Sequence, residues 1–331
     1  MPCQESVMKV NISIIIPTRN REALLVRCLE KLVKQVGKND EVLVVDNNSH
    51  DDTKKVILDF QKRLPLRYLF ESRRGSSFAR NLGARMVKGE TLVFLDGDCL
   101  VDSGWLEEIR KFSREMDSAV QGRIIHQFKK ENIFVDVFWF YSGLCEGRLG
   151  REKKEEGNFL SVNSLVVGNL IVKKRFLKKI NYWFDEKLFP YVGEQEDLSI
   201  RLQRAGIELR EAPKVRVVHI KSPKTIFNHI VIFIYRSFFY GRTEGIIRAK
   251  YQITKKTEIV FKEEIRQLQQ KKNKKSRETF FLKLKSFLSG KKIIYKIDFL
   301  FLIILREVLF SLGIIYGVIN YKIFSFLSKR A

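Results

Sequence analysis

Short apolar runs alternate with longer segments in which apolar residues recur every three or four positions. The runs Ile12–Ile16, Glu41–Val45, Leu66–Phe70 and Thr91–Leu95 each predict a buried strand. The segments between them favour helices: one over 24–36, a second from about residue 51, and a third that ends at Gly89. Alternation of strand and helix in this order is typical of a mostly parallel, doubly wound α/β sheet with helices on both faces.

Polar residues follow these predicted strands directly, and doubly wound sheets bind ligands beyond the carboxyl ends of their strands. Pro17 is expected to stop the first strand, because proline cannot donate to a central ladder, and Asn20 is expected to cap the helix that follows. The residues expected at this edge are Pro17, Thr18, Arg19, Asp46, Asn47, Asp96, Gly97 and Asp98.

The carboxylates Asp96 and Asp98 stand two residues apart after the short apolar strand Thr91–Leu95. Such a pair is costly unless hydrogen bonds or a cation satisfy it, and Gly97 between them lets the backbone bend and a ligand approach. Hard divalent cations prefer oxygen ligands, so the pattern suits Mn²⁺ or Mg²⁺ shared with a diphosphate and water. The alternative is an acidic turn that closes the strand.

Length and composition limit the number of domains and the cellular compartment of the protein. The 331 residues suffice for one large α/β domain with an appendage, or for two small domains. The four cysteines form no Cys-x-x-Cys pair, which favours a reducing compartment over a zinc module or a disulfide framework. The polar segment Met1–Asn11 does not resemble a signal peptide, so we expect the α/β domain to be cytoplasmic.

Six short motifs occur in the order and spacing of family 2 glycosyltransferases, and the chain resembles that family from about Val10 to Ser222. They are Pro17-Thr-Arg-Asn20, Val45-Asp-Asn-Asn-Ser49, Ala79-Arg-Asn-Leu-Gly83, Asp96-Gly-Asp98, Gly193-Glu-Gln-Glu-Asp-Leu-Ser-Ile-Arg201 and Ala212 to His219. The resemblance implies a nucleotide-sugar domain of the GT-A fold over residues 1–222. Two positions depart from the family pattern, Asn47 in place of a second aspartate and Gln195 in place of an acid.

The resemblance also assigns roles to single residues. It implies that Asp46 holds the nucleobase, although an aspartate there is equally the acceptor of an Asx turn. Arg19 and Arg80 would offer guanidinium groups to the diphosphate. The nucleotide-sugar set is Pro17, Thr18, Arg19, Asp46, Asn47, Arg80, Asp96 and Gly97, and the metal ligands are Asp98 and His219.

An acidic cluster opens a predicted helix near residue 194. By the resemblance, Asp197 is the base that takes the proton of the acceptor hydroxyl, and Glu196 or Glu194 positions the acceptor. The alternative is that all three acids stabilise the positive end of the helix dipole.

Beyond residue 222 the composition changes. Arg248–Lys292 holds fifteen Lys and Arg against four Glu, and Phe299–Asn320 is about long enough to span a bilayer. Arg306-Glu307 near the middle of that segment would be costly in lipid, so an interfacial helix competes with a span, and an apolar helix packed on the catalytic domain is the third alternative. We therefore expect residues 223–331 to be a basic and apolar helical region on an anionic membrane surface, with no nucleic-acid partner.

Together these features predict a membrane-associated, metal-dependent, inverting glycosyltransferase. Its donor would be a UDP-, GDP- or dTDP-sugar, and its acceptor a glycan hydroxyl or a lipid-linked molecule. One alternative is a polyprenyl-phosphate sugar transferase. Another is a non-catalytic module that binds nucleotides or nucleic acid, based on the net charge of +24.

Overall fold

The computed structural model describes residues 12–127, 155–156, 159–186, 193–220, 226–251 and 293–327. These residues form two compact units. Of the described residues, the first unit comprises 12–127, 155–156, 159–186 and 194–220, and the second comprises 193, 226–251 and 293–327.

Within the described residues, the first unit is built on one sheet of ten strands. Its strands are β1 Ile12–Thr18, β2 Glu41–Asp46, β3 Leu66–Phe70, β4 Thr91–Leu95, β5 Cys99–Val101, β6 Ala119–Gln127, β7 Glu155–Glu156, β8 Phe159–Ser161, β9 Asn169–Lys173 and β10 Leu209–Ile220. Their order is β3-β2-β1-β4-β9-β6-β10-β8-β7, with β5 paired to β10. The half from β3 to β4 is parallel as expected, whereas β9, β8, β7 and β5 add antiparallel pairs to the other half.

Helices cover both faces of this sheet. They are α1 Glu22–Val33, α2 Thr53–Phe60, α3 Ser76–Met86, α4 Trp105–Ser113, α5 Leu177–Ile180 and α6 Glu194–Arg204. Alternate residues of a strand point to opposite faces, so Ile14 of β1 joins a core with Leu29 of α1, while its neighbour Ile15 joins a second core with Ala79 of α3. Gly83 is required on α3, because a Cβ there would overlap the side chain of Ile15.

Two expectations, one about the end of β1 and one about the start of α1, are wrong. Pro17 does not end β1, which pairs with β2 as far as Thr18; its pairing with β4 already ends at Ile15, so a residue without an N–H is tolerated beyond that point. Asn20 does not cap α1. It has a positive φ of 49°, and its side-chain oxygen accepts the N–H of His50 at 2.8 Å.

The second unit contains two long helices, α7 Ile226–Lys250 and α8 Ile293–Leu327, which pack against each other. Among the described residues, one helical segment, Phe301–Ile319, is long and apolar enough to cross a membrane, and 17% of it is buried.

Candidate functional site

The carboxyl ends of β1, β2 and β4 meet at one edge of the sheet. Thr18 and Asp46 are register partners at the ends of β1 and β2, and Asp96 follows β4, which pairs with β1 on its other side. A Cβ on Gly97 would lie 3.5 Å from the hydroxyl of Thr18. The fold therefore brings the residues predicted after three separate strands to one place.

Arg80 connects the acidic residues of this edge. Its Nη2 donates to Oδ1 of Asp96 at 2.9 Å and its Nη1 to Oε1 of Glu194 at 3.1 Å, and the arginine is only 6% exposed. Burial alone would lower the pKa of the Arg80 guanidinium, but the two carboxylates raise it above its ordinary value. A permanent cation is thus fixed between Asp96 and Glu194.

Asp98 is held by two cationic or potentially cationic side chains. Oδ2 of Asp98 is paired with Arg21, and Nε2 of His219 lies 3.1 Å from the same oxygen. Burial would raise the pKa of the Asp98 carboxyl, but the hydrogen bond from His219 and the charge of Arg21 keep it below its ordinary value. The ring of His126, the register partner of His219 on β6, lies 5.3 Å from the ring of His219.

Among the residues that the structure describes, three residues at this edge carry a buried polar atom without a hydrogen-bond partner. They are Oγ1 of Thr18, Nε of Arg80 and Oδ1 of Asp98. Buried side-chain polar atoms are normally hydrogen-bonded, so a cluster of exceptions calls for an explanation such as a bound ligand or ion.

Asp46 is buried and takes part in local structure. Its Oδ1 accepts the N–H of Ser49 at 2.9 Å, which is the Asx-type turn considered from the sequence, and its Oδ2 accepts the hydroxyl of Tyr68 at 3.2 Å. Burial and the neighbouring Asp46 carboxylate raise the pKa of Tyr68 to about 12, so Tyr68 remains a donor at neutral pH.

The other residues expected to bind the nucleotide-sugar differ in the contacts that they already make within the protein. Both N–H donors of the Asn47 amide bind main-chain carbonyls, those of Glu71 and Arg73, and its oxygen accepts the N–H of Gly75, so the amide holds this loop. Among the described residues, Arg19 makes one hydrogen bond, from Nε to the carbonyl of Asn48 at 3.3 Å. Gly97 has no positive φ and a Cβ there would make only ordinary contacts, so the protein itself does not demand glycine at this position.

The acidic cluster opens α6 as predicted, but its members have different surroundings. Asp197 is 0% exposed, and its Oδ2 accepts from Nε and Nη2 of Arg201 at 2.8 Å. Arg201 also donates to the carbonyls of Ile180 and Trp183, which ties the loop after α5 to this helix.

Glu194 and Glu196 are less deeply buried. The side chain of Glu194 is 19% exposed and lies beside Arg80, and the hydroxyl of Ser76 donates to it at 3.4 Å. The Oε1 of Glu196 accepts the side-chain N–H of Gln195 at 3.0 Å. Of the three acids, Glu194 is therefore the one whose carboxylate is next to the Asp96 end of the site.

Several residues of the site escaped the sequence analysis. Arg21, Tyr68, His126 and Arg201 contact predicted residues, and Tyr68 and His126 do so through strand pairing that the sequence does not reveal. Arg21 and Arg201 gave a usable signal: Arg21 follows the first motif directly, and Arg201 ends the fifth motif, four residues after Asp197.

The residues around Asp98 fit a divalent cation. The free Oδ1 of Asp98 offers a buried carboxylate oxygen, and His219 supplies a ring nitrogen within 3.1 Å of the other oxygen. Among the described residues, no group of three or more His, Cys, Asp or Glu side chains is close enough to hold a metal ion. A cation at Asp98 would therefore need further ligands from a bound molecule or from water.

Comparison with known proteins identifies related sequences. The family model described as glycosyl transferase family 2 matches residues 13–179, about half of the chain. A similar curated protein is GalNAc(5)-diNAcBac-PP-undecaprenol beta-1,3-glucosyltransferase of Campylobacter jejuni, 32% identical over 117 residues, which are 34% of this chain and 38% of the relative. Across the curated relatives compared, the matched segment spans 15% to 43% of the relative's length.

Solved structures show the same fold. Residues 1–349 of S. aureus TarS, crystallised with UDP-GlcNAc, match with a TM-score of 0.53 and 15% identity, over 94% of this chain and 89% of that one. GalNAc-T7, crystallised with UDP, GalNAc and Mn²⁺, matches with a TM-score of 0.51 and 19% identity, over 71% of this chain and 51% of that one.

Proposed function

The chain belongs to glycosyl transferase family 2, and on that premise we propose that it transfers a sugar from a nucleotide-sugar to an acceptor by a single inverting displacement. The observation that carries the proposal is the cluster of unsatisfied buried atoms on Thr18, Arg80 and Asp98. A hydroxyl, a guanidinium N–H and a carboxylate oxygen are the groups needed to hold a sugar diphosphate together with its counter-cation.

The donor lies across the carboxyl ends of β1, β2 and β4. Arg80 provides its free Nε and its fixed charge to the diphosphate, and Arg19, which makes a single main-chain contact, is free to add a second guanidinium. Asp46 accepts the N–H of the nucleobase through lone pairs not used by Ser49 and Tyr68. Uridine is the base we propose, because both solved neighbours carry UDP or a UDP-sugar in their descriptions.

Asp98 and His219 would hold a divalent cation, Mn²⁺ or Mg²⁺, and Asp96, the residue before Gly97, would hold the sugar or the ribose. When bound, such a cation would supply positive charge to the leaving nucleoside diphosphate. Support comes from the free Oδ1 of Asp98 and from the Mn²⁺ in the description of the GalNAc-T7 structure.

Glu194 is the acid that we assign as the general base. It is partly exposed, and Arg80 connects it to Asp96, so an acceptor hydroxyl at that end of the site lies within its reach. Asp197 was expected in this role, but its burial and its pairing with Arg201 support a structural role instead. Glu196, which accepts from Gln195, keeps the role of positioning the acceptor.

The acceptor that we propose is lipid-linked. The description of the C. jejuni relative names an undecaprenol-diphosphate acceptor, and α8 contains a segment apolar enough to enter a membrane. The Lys- and Arg-rich stretch between α7 and α8 suits the cytoplasmic, anionic face of a bilayer.

The test is release of nucleoside diphosphate from a panel of UDP-, GDP- and dTDP-sugars by the full chain with membranes present. We expect release from a UDP-sugar that rises when lipid extract is added. Absence of release across the whole panel, with and without lipid, would overturn the proposal.

A further inference from the structure

Helices α7 and α8 touch backbone to backbone. Gly241 and Gly245 of α7 face the main chain of α8, and Gly313 and Gly317 of α8 face the main chain of α7 around Arg242. A Cβ at any of the four positions would overlap a main-chain atom of the other helix. Close approach through glycines four residues apart is a packing mode typical of helices in lipid.

The opposite face of α8 is apolar and open. Six residues that recur every three or four positions along one side of the helix are each more than half exposed: Phe301, Ile304, Val308, Leu312, Ile315 and Ile319. The stripe extends over 18 helical steps, or about 27 Å. An open apolar surface of this length marks a binding surface for a membrane or another apolar partner.

Charged residues limit how deep the pair can lie in a membrane. Arg306 and Glu307 pair at 2.6 Å, and the side chain of Glu307 is 50% exposed. Val308–Tyr321, the part of α8 beyond them, has 14 uncharged residues. That is about 21 Å of helix, short of the roughly 30 Å of bilayer hydrocarbon.

The partner helix adds to this limit. Arg242 and Glu244 of α7 lie between the two contact glycines, and the main chain of Arg242 touches Gly313 and Gly317. If α8 crossed the bilayer along Phe301–Ile319, these charges would enter the hydrocarbon together with Arg306 and Glu307.

We propose that α7 and α8 lie in the plane of one leaflet as a glycine-packed pair, with the exposed stripe of α8 among the acyl chains and no crossing of the bilayer. The inference rests on the membrane association included in the proposed function and specifies its geometry. The charge of the sequence that connects the helices supports this proposal. Arg248–Lys292 has fifteen Lys and Arg against four Glu, which suits contact with the anionic headgroups of the same leaflet.

The depths of three stripe residues distinguish this arrangement from a span. Ile304 and Ile315 are 63% and 58% exposed on the same side of α8 and lie on either side of the centre of Phe301–Ile319, whereas Leu312, 52% exposed, lies near that centre. A fluorophore is attached to Ile304→Cys, Leu312→Cys or Ile315→Cys in the full chain with Cys3 and Cys145 changed to serine, since Cys28 and Cys99 are buried.

Each labelled protein is added to phosphatidylglycerol–phosphatidylcholine vesicles whose lipids carry a quencher at acyl carbon 5 or 12. The in-plane pair predicts equal depths for all positions, with carbon 5 the stronger quencher at each. A span along Phe301–Ile319 would put Leu312 about 3 Å from the bilayer centre, and Ile304 and Ile315 about 8–9 Å from it on opposite sides. Stronger quenching of the Leu312 label by carbon 12 than by carbon 5 would therefore show a span and overturn the proposal.

Absence of quenching would also overturn it, and unquenched fluorescence that depends on protein concentration would assign the stripe to a second copy of the chain. Release of nucleoside diphosphate is measured on the same samples, so a failure of the membrane geometry is separated from a failure of the catalytic proposal.

Discussion

Nη1 of Arg80 lies 3.1 Å from Oε1 of Glu194, and this contact joins helix α3 to the start of helix α6. The same guanidinium donates to Asp96. Arg80 therefore brings Glu194, which comes much later in the sequence, next to the residues that follow β4. The spacing of the motifs along the chain predicts their order but not this contact. It singles out Glu194 among the three acids of its cluster.

Glu194→Gln should lower kcat by about a hundredfold to ten-thousandfold, because glutamine cannot take the proton of the acceptor. The KM for the donor should change little, since the diphosphate is held by Arg80, Arg19 and Asp98. Steady-state kinetics at saturating donor and acceptor provides the measurement. Glu208→Gln, which removes an exposed acid paired with Arg210, is the matched control and should keep full activity. Normal turnover by Glu194→Gln would rule out Glu194 as the base.

Asp197→Asn should instead unfold the protein more easily. The change leaves Arg201 buried without its counter-charge, and breaking a buried ion pair from one side costs about 3–5 kcal/mol. Denaturant unfolding at neutral pH measures the loss, and the folded fraction should keep its kcat within a few-fold. A variant as stable as the parent but without activity would return the catalytic role to Asp197.

The sequence predicts the parallel half of the sheet well because its strands are short, apolar and separated by helical spacing. The strands expected at Leu66–Phe70 and Thr91–Leu95 have those same bounds in the structure. The antiparallel half depends on pairings between distant segments, such as β9 with β4, which leave no local pattern. The prediction that Pro17 ends β1 failed for a second reason. β1 stops pairing with β4 at Ile15 but continues to pair with β2 as far as Thr18, and the sequence does not reveal this difference.

The sequence predicts which residues lie at the strand ends, but not which side chains contact them there. Asp96, Asp98, Arg80 and His219 do converge, as the motifs indicate. Some of the contacts come from tertiary packing: Asp46 meets Tyr68 of the neighbouring strand β3, and Asp98 meets Arg21 and His219. The pairing of Asp197 with Arg201 is local, four residues along α6, but the burial of the pair depends on the rest of the fold. Local spacing contains no information on burial of that kind.

Glu41 should make stability depend on acid pH. Burial alone would raise the pKa of its carboxyl, but the N–H of Lys88, the hydroxyl of Ser13 and Arg67 keep it below its ordinary value of 4.5. A carboxyl with a depressed folded-state pKa stabilises the fold above its unfolded-state pKa, and the effect is lost as pH falls through the folded-state value.

Glu41→Gln should therefore destabilise the protein at pH 7 and lose that difference as the pH falls below about 4. Urea unfolding midpoints from pH 7 to pH 3 follow the effect, and the exposed Glu107→Gln serves as control. A difference from the parent that stays constant over this range would contradict the account of Glu41.

The glycine contact between α7 and α8 should be sensitive to a single methyl group. Gly317→Ala places a Cβ against the main chain of Arg242, so we expect a loss of about 1–3 kcal/mol although alanine is the better helix former. Ser311→Ala on the exposed side of the same helix is the control and should not destabilise. Thermal unfolding in detergent distinguishes the two, and equal stability of the variants would mean that the close contact does not form.

The most direct test of the central claim is sugar transfer by Asp98→Asn, measured as labelled sugar moved from a nucleotide-sugar into lipid extract by the full chain. Asparagine keeps the shape of Asp98 but removes the charge that the buried Oδ1 presents, so transfer should fall at least a hundredfold, and chelator should abolish it in the parent until Mn²⁺ or Mg²⁺ is restored. Asp102→Asn, which removes an acid paired with Arg216 outside the site, should transfer at the parental rate. Parental transfer by Asp98→Asn, or full activity of the parent in chelator, would contradict the proposed site.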